Sequence, residues 1–303
     1  MNPGVIVVIG SYCHDVGLQV NNFPAPGETV IGVGYLESHG GKGSNQAIHA
    51  RRAGATVAFV GAIGDDDAGR GALNLWRSEG IDMSHTVVRP GTPTGKAFIV
   101  IAATGENHIV VSSGANATLL PNNVAAARSC IAGASLVLAQ LEVPAASVAE
   151  AFLIGRRAGA VTVLNAAPAA VSLPDAVWTN TDFLIVNETE ARQLTGYATE
   201  DNQKLCVLLR SQVRLGAVIT LGAMGAIGIA ADGEIVRVAA PSVAVVDTTG
   251  AGDAFVGAFC AGWLRTLDLR ASLQLGTAAG SMACTFRGAF QPLAFAHSAN
   301  CED

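Results

Sequence analysis

Aromatic residues make up only 5% of this 303-residue chain and charged residues only 14%. A core with so few rings is built mainly from Ala, Gly and Val, which suits tight helix-on-sheet packing with many turns. Lys and Arg together number 18 against 24 acidic residues, for a net charge of −6. That balance leaves no basic stripe and excludes a general nucleic-acid surface. No Lys/Arg run offers itself to an anionic membrane either. The six cysteines, Cys13, Cys130, Cys206, Cys260, Cys284 and Cys301, form no Cys-x-x-Cys pair. Most lie in apolar runs, as buried free thiols of a reducing cytosol do. The only apolar run near the start, Val5–Ile9, is too short for a signal peptide and follows no basic leader. A cytoplasmic protein is expected. Leu215–Ala231 is nearly free of polar groups, but it is slightly short for a membrane span and carries four glycines and Thr220. Two buried strands joined at Leu221-Gly222-Ala223 explain it better.

Half of the residues are hydrophobic, and the length allows a sizeable core. Short β-branched runs alternate with Ala-rich segments. Val5–Ile9, Thr56–Val60, Leu136–Ala139, Val161–Leu164, Phe183–Val186 and Ala217–Thr220 read as buried strands. Ser44–Ala53, Ala68–Glu79, Asn122–Ala132, Ala145–Ala158, Glu188–Leu194 and Lys204–Arg214 read as helices. Such alternation means a parallel sheet covered on both faces, with ligands beyond the carboxyl ends of its strands. Residues 1–303 are expected to form a single α/β domain. Two segments, at about 15–40 and 94–113, have strand character without helices. In the second, Phe98–Ile101 and Ile109–Val111 flank Thr104-Gly105-Glu106-Asn107 as a hairpin. A small antiparallel lid is the favoured reading, a structural edge sheet the other. No internal repeat or low-complexity tract is present, and the chain from Ala294 on reads as weakly ordered.

The most informative stretch is Val246-Asp247-Thr248-Thr249-Gly250-Ala251-Gly252-Asp253. A strand-like run, Val243–Val246, leads into a glycine turn, and an apolar helix-like run, Ala254–Leu264, follows. Free backbone N–H groups at a helix start bind anions. Asp253 beside them can take a proton from a hydroxyl nucleophile. It could equally be an ordinary first-turn aspartate that suits the helix dipole. A second glycine-led helix start is Gly40-Gly41-Lys42-Gly43-Ser44-Asn45-Gln46. It is no Walker loop, because Gly follows Gly-Lys where Ser or Thr is needed; Thr94-Gly95-Lys96-Ala97 fails the same test. Its glycines allow close approach to a small polar ligand, and Asn45 can both donate and accept. Asp15, Glu142 and Asn187 to Glu190 each follow a strand, and Thr220-Leu221-Gly222 repeats that small, polar strand-end pattern. Asp15 alone reads as a turn residue and Asn187 alone as a helix cap. Their joint placement at successive strand ends points to one site.

From Gly10 to about Gly288 the chain resembles the PfkB family of sugar kinases. The resemblance rests on Pro26-Gly27-Glu28-Thr29, Gly40 to Ala47, Gly114-Ala115-Asn116 and Gln140-Leu141-Glu142. It continues through Asn165-Ala166-Ala167-Pro168-Ala169, Asn187-Glu188-Thr189-Glu190 and Asp247 to Asp253. The Gly-Gly-Lys-Gly-Ser-Asn and Asn-x-Ala-Pro-Ala elements point to its ribokinase branch. The resemblance implies a ribokinase-like three-layer α/β/α core with a mostly parallel sheet and a small β lid. It implies an ATP-dependent kinase acting on the primary hydroxyl of a pentose, with ribose as the expected sugar. A kinase for deoxyribose, a ketose or a nucleoside is the alternative, and a non-catalytic sugar or nucleotide sensor a further one.

By the same resemblance Asp253 is the catalytic base, and Gly250, Ala251 and Gly252 form the anion hole. Asp15, Gly41, Lys42, Asn45 and Glu142 serve the sugar. Asn187, Glu190, Thr220 and Gly222 serve nucleotide phosphates and Mg2+, and Thr277 lines the adenine pocket. Asp247 and the backbone oxygens of Thr249, Ala283 and Gly288 would cage a monovalent cation, usually K+. A homodimer formed through the lid is implied as well. Four positions depart from the pattern. Cys13 stands where many ribokinases place Asn, His39 where small or aromatic residues are usual, and Thr277 where Asn or His is common. After Arg287-Gly288-Ala289, Phe290-Gln291-Pro292-Leu293 shows no evident hydroxyl ligand for the cation.

Overall fold

The computed structural model describes residues 4–169 and 172–291. The segment from Ala294 on, read above as weakly ordered, lies outside them, as do Pro292 and Leu293. In chain order the first half contains β1 (Val5–Ile9), β2 (Cys13–Val20), β3 (Gly34–Gly40), α1 (Lys42–Arg52), β4 (Thr56–Val60), β5 (Ala62–Gly64) and α2 (Asp67–Glu79). There follow β6 (Val87–Arg89), β7 (Lys96–Ala102), β8 (Asn107–Ser112), α3 (Pro121–Ala126), α4 (Arg128–Ala132), β9 (Leu136–Ala139) and α5 (Ala145–Arg157). The second half contains β10 (Val161–Asn165), α6 (Asp175–Thr179), β11 (Phe183–Asn187), α7 (Glu188–Thr195), α8 (Asn202–Arg210) and β12 (Gly216–Thr220). It closes with β13 (Ala226–Ala230), β14 (Ile235–Val238), α9 (Ala251–Thr266) and α10 (Leu269–Ala283).

Eight strands form one sheet in the order β14-β13-β12-β11-β10-β9-β1-β4. From β4 to β12 every neighbour is parallel, and β13 and β14 continue the sheet antiparallel. The central strands read as unbroken apolar runs because both faces are covered. β1 shows it directly. Val7 and Ile9 join a core with Val137, Ile131, Phe152 and Leu205, under α4, α5 and α8. Ile6 and Val8 join the opposite core with Phe59, Trp76, Phe255 and Phe259, under α1, α2 and α9. This is the expected three-layer arrangement.

The helix-free segments make a separate four-stranded sheet, β3-β2-β7-β8. The hairpin forms as read, with Ile99 opposite Ile109. Leu215–Ala231 is indeed two strands, β12 and β13, joined by a 3-10 turn at Gly222–Met224. Among the described residues no helix is long and apolar enough to cross a membrane. Three expectations are corrected. The small sheet is mixed rather than antiparallel, because β2 and β7, which belong to different helix-free segments, pair in parallel. Val243–Val246 is irregular rather than a strand, with Val245 and Val246 exposed. The helix expected over Asn122–Ala132 is two short ones, α3 and α4, with Ala127 between them.

Candidate active site

Helices α1 and α9 cross closely at Gly257. A Cβ there would lie 2.5 Å from the carbonyl oxygen of Gln46 and 2.7 Å from the amide of Ala50. Hydrogen in its place lets the first turns of both helices meet, so Asn45 and Gln46 reach Asp253. Asn45 Nδ2 donates to Asp253 Oδ2 at 3.0 Å, and Gln46 Nε2 donates to Oδ1 at 2.9 Å. The carboxylate is 8% exposed. A buried anion needs such donors to remain charged.

The start of α9 supplies the other half of the chemistry. Gly250 is its N-cap at φ 75, a conformation that favours glycine. Ala251 N–H turns back to the Thr248 carbonyl at 3.2 Å. Among the described residues, nothing accepts from the N–H groups of Gly252 and Asp253. A Cβ on Gly252 would meet no atom within 4 Å. Gly252 and Asp253 thus offer open donors at the positive end of a helix, an arrangement that receives an anion, whereas the Ala251 N–H, expected in the anion hole, is engaged by Thr248.

Asp15, Gly41, Lys42, Asn45 and Glu142, expected at the sugar, form a charged cluster around the start of α1. Glu142 Oε2 accepts from the Lys42 N–H at 2.9 Å and from the Ser11 hydroxyl, and so closes the N-terminus of α1. Gly41, at φ 87, packs so tightly that a Cβ would lie 2.6 Å from the Cys13 amide. Asp15 is pushed up to about 7 by burial first, then by the charges of Glu142 and Asp253. For Lys42, burial works against the charge, but Asp253, Glu142 and Glu190 together outweigh it and hold its ammonium above the ordinary lysine value. One side-chain atom in this cluster, Asn45 Oδ1, is buried and has no partner.

Two cavities meet over α9. The larger, about 390 Å³, is lined by Thr220, Gly222, Gly252, Phe255 and Thr277 among others, and its walls are mainly apolar. The smaller, about 140 Å³, is lined by Lys42, Asn187, Glu190, Thr220, Gly252 and Asp253. Thr220 and Gly252 line both. Asn187 does cap α7: its Oδ1 accepts from the Glu190 N–H at 2.8 Å, and Glu190 Oε2 accepts from the Asn187 N–H at 2.9 Å. The structural reading of Asn187 as a cap is thus met, and the capping box also holds both residues at the smaller cavity. Burial raises the Glu190 carboxyl above its ordinary value, against the lowering effect of that hydrogen bond and of Lys42. The Thr277 hydroxyl is turned onto the Leu273 carbonyl of its own helix at 2.9 Å.

The sequence profile of pfkB family carbohydrate kinases matches residues 5–294. The chain belongs to that family. The ribokinase of Haemophilus influenzae is 37% identical to this pfkB-family kinase over 287 residues, 94% of this chain and 93% of that protein. The deoxyribokinase of Salmonella typhi is 32% identical over 286 residues, 93% of each. A solved structure of Arabidopsis thaliana ribokinase complexed with ribose and ATP aligns over 95% of both chains, with a TM-score of 0.87 and 26% identity.

In this pfkB-family kinase the turn before α9 is braced by Asp247. Its Oδ1 accepts from the Thr249 N–H at 2.9 Å, and its Oδ2 accepts from the Gly288 N–H at 2.9 Å. Burial would raise the Asp247 carboxyl, but the bonds from Gly288 and Thr249 hold it below its ordinary value. Cys284, which follows Ala283, accepts from the Asp247 N–H at 3.3 Å. Asp247, Thr249, Ala283 and Gly288 are therefore neighbours. Reasoning from the sequence assigned no role to Gln46, Gln140 or Asn165, although it singled out the motifs that contain them. It also missed Ser11, for which no local signal exists.

Proposed function

We propose that this kinase transfers the terminal phosphoryl group of ATP to the 5-hydroxyl of D-ribose, giving ribose 5-phosphate and ADP. The observation that carries the reading is the place of Asp253. It stands in the small polar cavity that shares Thr220 and Gly252 with the large apolar one. Nucleotide base and ribose ring fit the large cavity beside Thr277, and the phosphates run past Gly222, Thr220 and Asn187 to the open N–H groups of α9. Asp15, Gly41, Lys42, Asn45 and Glu142 hold the sugar. Asn45 Oδ1, buried without a partner, supplies an acceptor that a sugar hydroxyl satisfies.

Asp253 takes the proton of the primary alcohol as its oxygen bonds to the terminal phosphorus and the bond from phosphorus to the ADP oxygen breaks. The Gly252 N–H and the α9 dipole stabilise the charge on the transferring group. A divalent metal such as Mg2+, bound with ATP, supplies further neutralisation of phosphate charge. Glu190 suits it, since only Oε2 is engaged with Asn187 and its carboxyl is raised by burial, a state a nearby cation reverses. Asp247 with Thr249, Ala283 and Gly288 would hold K+, ordering the turn from behind. The sheet β3-β2-β7-β8 would close over the sugar to exclude water. Its exposed Val33, Tyr35, Leu36, Ile109 and Val110 would pair with a second copy. Cytoplasmic residence suits Cys13, Cys130, Cys206, Cys260 and Cys284, all free.

A coupled ADP-release assay over a sugar and nucleoside panel tests the reading. Ribose should give the highest kcat/KM, because groups built for a hydroxyl are left unpaired by an analogue lacking it. The second reading, deoxyribose, has one observation in its favour. At Cys13 the thiol, 3.8 Å from Asn116 Nδ2, is a weak partner for a sugar hydroxyl. A higher kcat/KM for 2-deoxyribose or a nucleoside would overturn the ribose assignment and leave the kinase in place. Equal activity in K+ and in a large organic cation at the same ionic strength would remove the cation, and a monomer at micromolar concentration would remove the dimer.

A further inference from the structure

Three motif residues have no work in this scheme, and the structure joins them in one buried chain that ends on Asp253. Asn165 Nδ2 donates to the Ile185 carbonyl at 3.0 Å. Gln46 Nε2 donates to Asn165 Oδ1 at 2.9 Å and to Asp253 Oδ1 at 2.9 Å. Gln140 Nε2 donates to Gln46 Oε1 at 2.6 Å. Gln46 and Gln140 are fully buried and Asn165 is 7% exposed.

The polarity of this chain is dictated from its far end. A backbone carbonyl can only accept, so Asn165 must present its NH2 to Ile185 and its oxygen to Gln46. Gln46 must then turn its NH2 toward Asn165, and the same NH2 reaches Asp253. Gln140 follows the choice, donating to the oxygen of the Gln46 amide, while its own Oε1 is buried without a partner. The direction of an amide is an inference from its partners, and here the partners at both ends agree. The base therefore receives a donor that cannot be exchanged for an acceptor. This matters because Asp253 sits among other charges. Asp15 of β2, Glu190 of α7 and Glu142 after β9 are like charges, while Lys42 and His49 of α1 are the basic groups facing it.

We propose that Gln46 is a positioning residue for the base, anchored by Asn165 and Gln140, which fixes the plane of the Asp253 carboxylate and holds a donor against its Oδ1. The relay ties the end of β10, the end of β9 and the first turn of α1 to the first turn of α9. Asp253 Oδ1 is held, and Oδ2, bonded to Asn45, is the oxygen turned to the substrate hydroxyl.

The inference rests on the reading of Asp253 as the base, and the experiment separates the two. The Gln46→Leu enzyme should show a kcat at least about tenfold lower, as misplacement of a reacting group by about 1 Å can cost up to 10²-fold. Its KM for ATP should stay within about twofold, since uniform nucleotide binding is untouched. The acid limb of its kcat–pH profile should move up by about one pH unit, because a hydrogen bond to the ionised form is lost. A merely structural role lowers the melting temperature and the active fraction but leaves the acid limb in place. Gln46→Glu keeps the length, replaces the donor with a second carboxyl, and should move the acid limb further in the same direction. Gln140→Met, one bond further from the base, should give a smaller shift of the same sign and carries the test if both Gln46 variants fail to fold. An acid limb that stays at the wild-type position in every variant that folds overturns the relay. If Asp253→Asn retains more than about a tenth of wild-type kcat, the base assignment itself fails, since losing a general base costs about 10²–10⁴-fold. An inactive Asp253→Asn with unmoved acid limbs removes the relay alone.

Discussion

Helices α1 and α9 start alike and end up with opposite jobs. Each has a glycine N-cap with positive φ, Gly41 and Gly250, and neither cap makes a side-chain hydrogen bond. At α1 the protein supplies the anion itself: Glu142 takes the Lys42 N–H, while Ser11 takes the N–H groups of Gly43, through its hydroxyl, and of Ser44, through its carbonyl. At α9 the N–H groups of Gly252 and Asp253 face the cavities instead. The glycines differ in the same sense. A Cβ on Gly43 would lie 2.5 Å from the Ser11 amide, whereas one on Gly252 would meet nothing within 4 Å. A glycine-rich helix start is thus not in itself a phosphate site. What decides is whether the fold has already filled it.

The sharpest way to break this comparison is at the base. Asp253→Asn keeps the shape of the α9 start but cannot take a proton, and kcat should fall by about 10²–10⁴-fold. The melting temperature should change little, because the one amide oxygen of asparagine can still accept from Gln46, while its NH2 faces Asn45, whose own unpartnered Oδ1 can turn over to accept. Near-normal turnover in steady-state kinetics would mean that the open helix end serves binding only.

The glycines give the next contrast. Gly43→Ala forces a carbon against the Ser11 backbone and should cost about 1–3 kcal/mol of stability, with the active fraction falling as the protein unfolds. Gly252→Ala should fold normally and lose about tenfold or more in kcat/KM for ATP, since its methyl group occupies the approach to the N–H groups. Thermal melts beside ATP kinetics check both. If the two variants exchange behaviour, the assignment of a filled and an open helix end is reversed.

The smallest effect concerns Asp15. Its carboxyl, ordinarily at 3.8, is raised in the folded chain to about 7. Between those values the folded chain holds a proton that the unfolded chain has released, so this group makes stability fall as pH rises from about 4 to 7. Asp15→Asn removes the titration. Without sugar, the melting temperature of the variant minus that of the wild type should therefore increase across that window. A constant difference would show that Asp15 is not held in the low-dielectric cluster with Glu142 and Asp253.

The fold was legible where burial on both sheet faces writes an unbroken apolar run, as in Val5–Ile9 or Phe183–Val186. The same logic misreads Val243–Val246. Val243 and Val245 line the wall of the larger cavity, Val245 and Val246 stay exposed, and a run of residues cannot tell a cavity wall from a strand. In the candidate site, the positions of Glu142, Asn187 and the α9 start were legible, whereas Asp15 lies within β2 rather than after a strand. The employment of those residues was not. Nothing around Glu142 tells that it closes α1, 100 residues away. Gln46 and Asn165 are 119 apart, and each alone reads as a polar residue beside a glycine or a proline.

The distance along the chain between Asn45 and Asp253, 208 residues, has a consequence for synthesis. A polypeptide leaving the ribosome presents Asp15, Asn45 and Glu142 early and the ends of β11 and β12 later, while Asp253, the proposed proton acceptor, comes near the end. Domains commonly begin to fold before translation is complete. Any product that stops short of α9, by premature termination or by cleavage in the exposed stretch after β14, lacks Asp253, the proposed base. Chemistry is thus coupled to completion, and a half-made chain has no means of consuming nucleotide without a sugar to receive the phosphate.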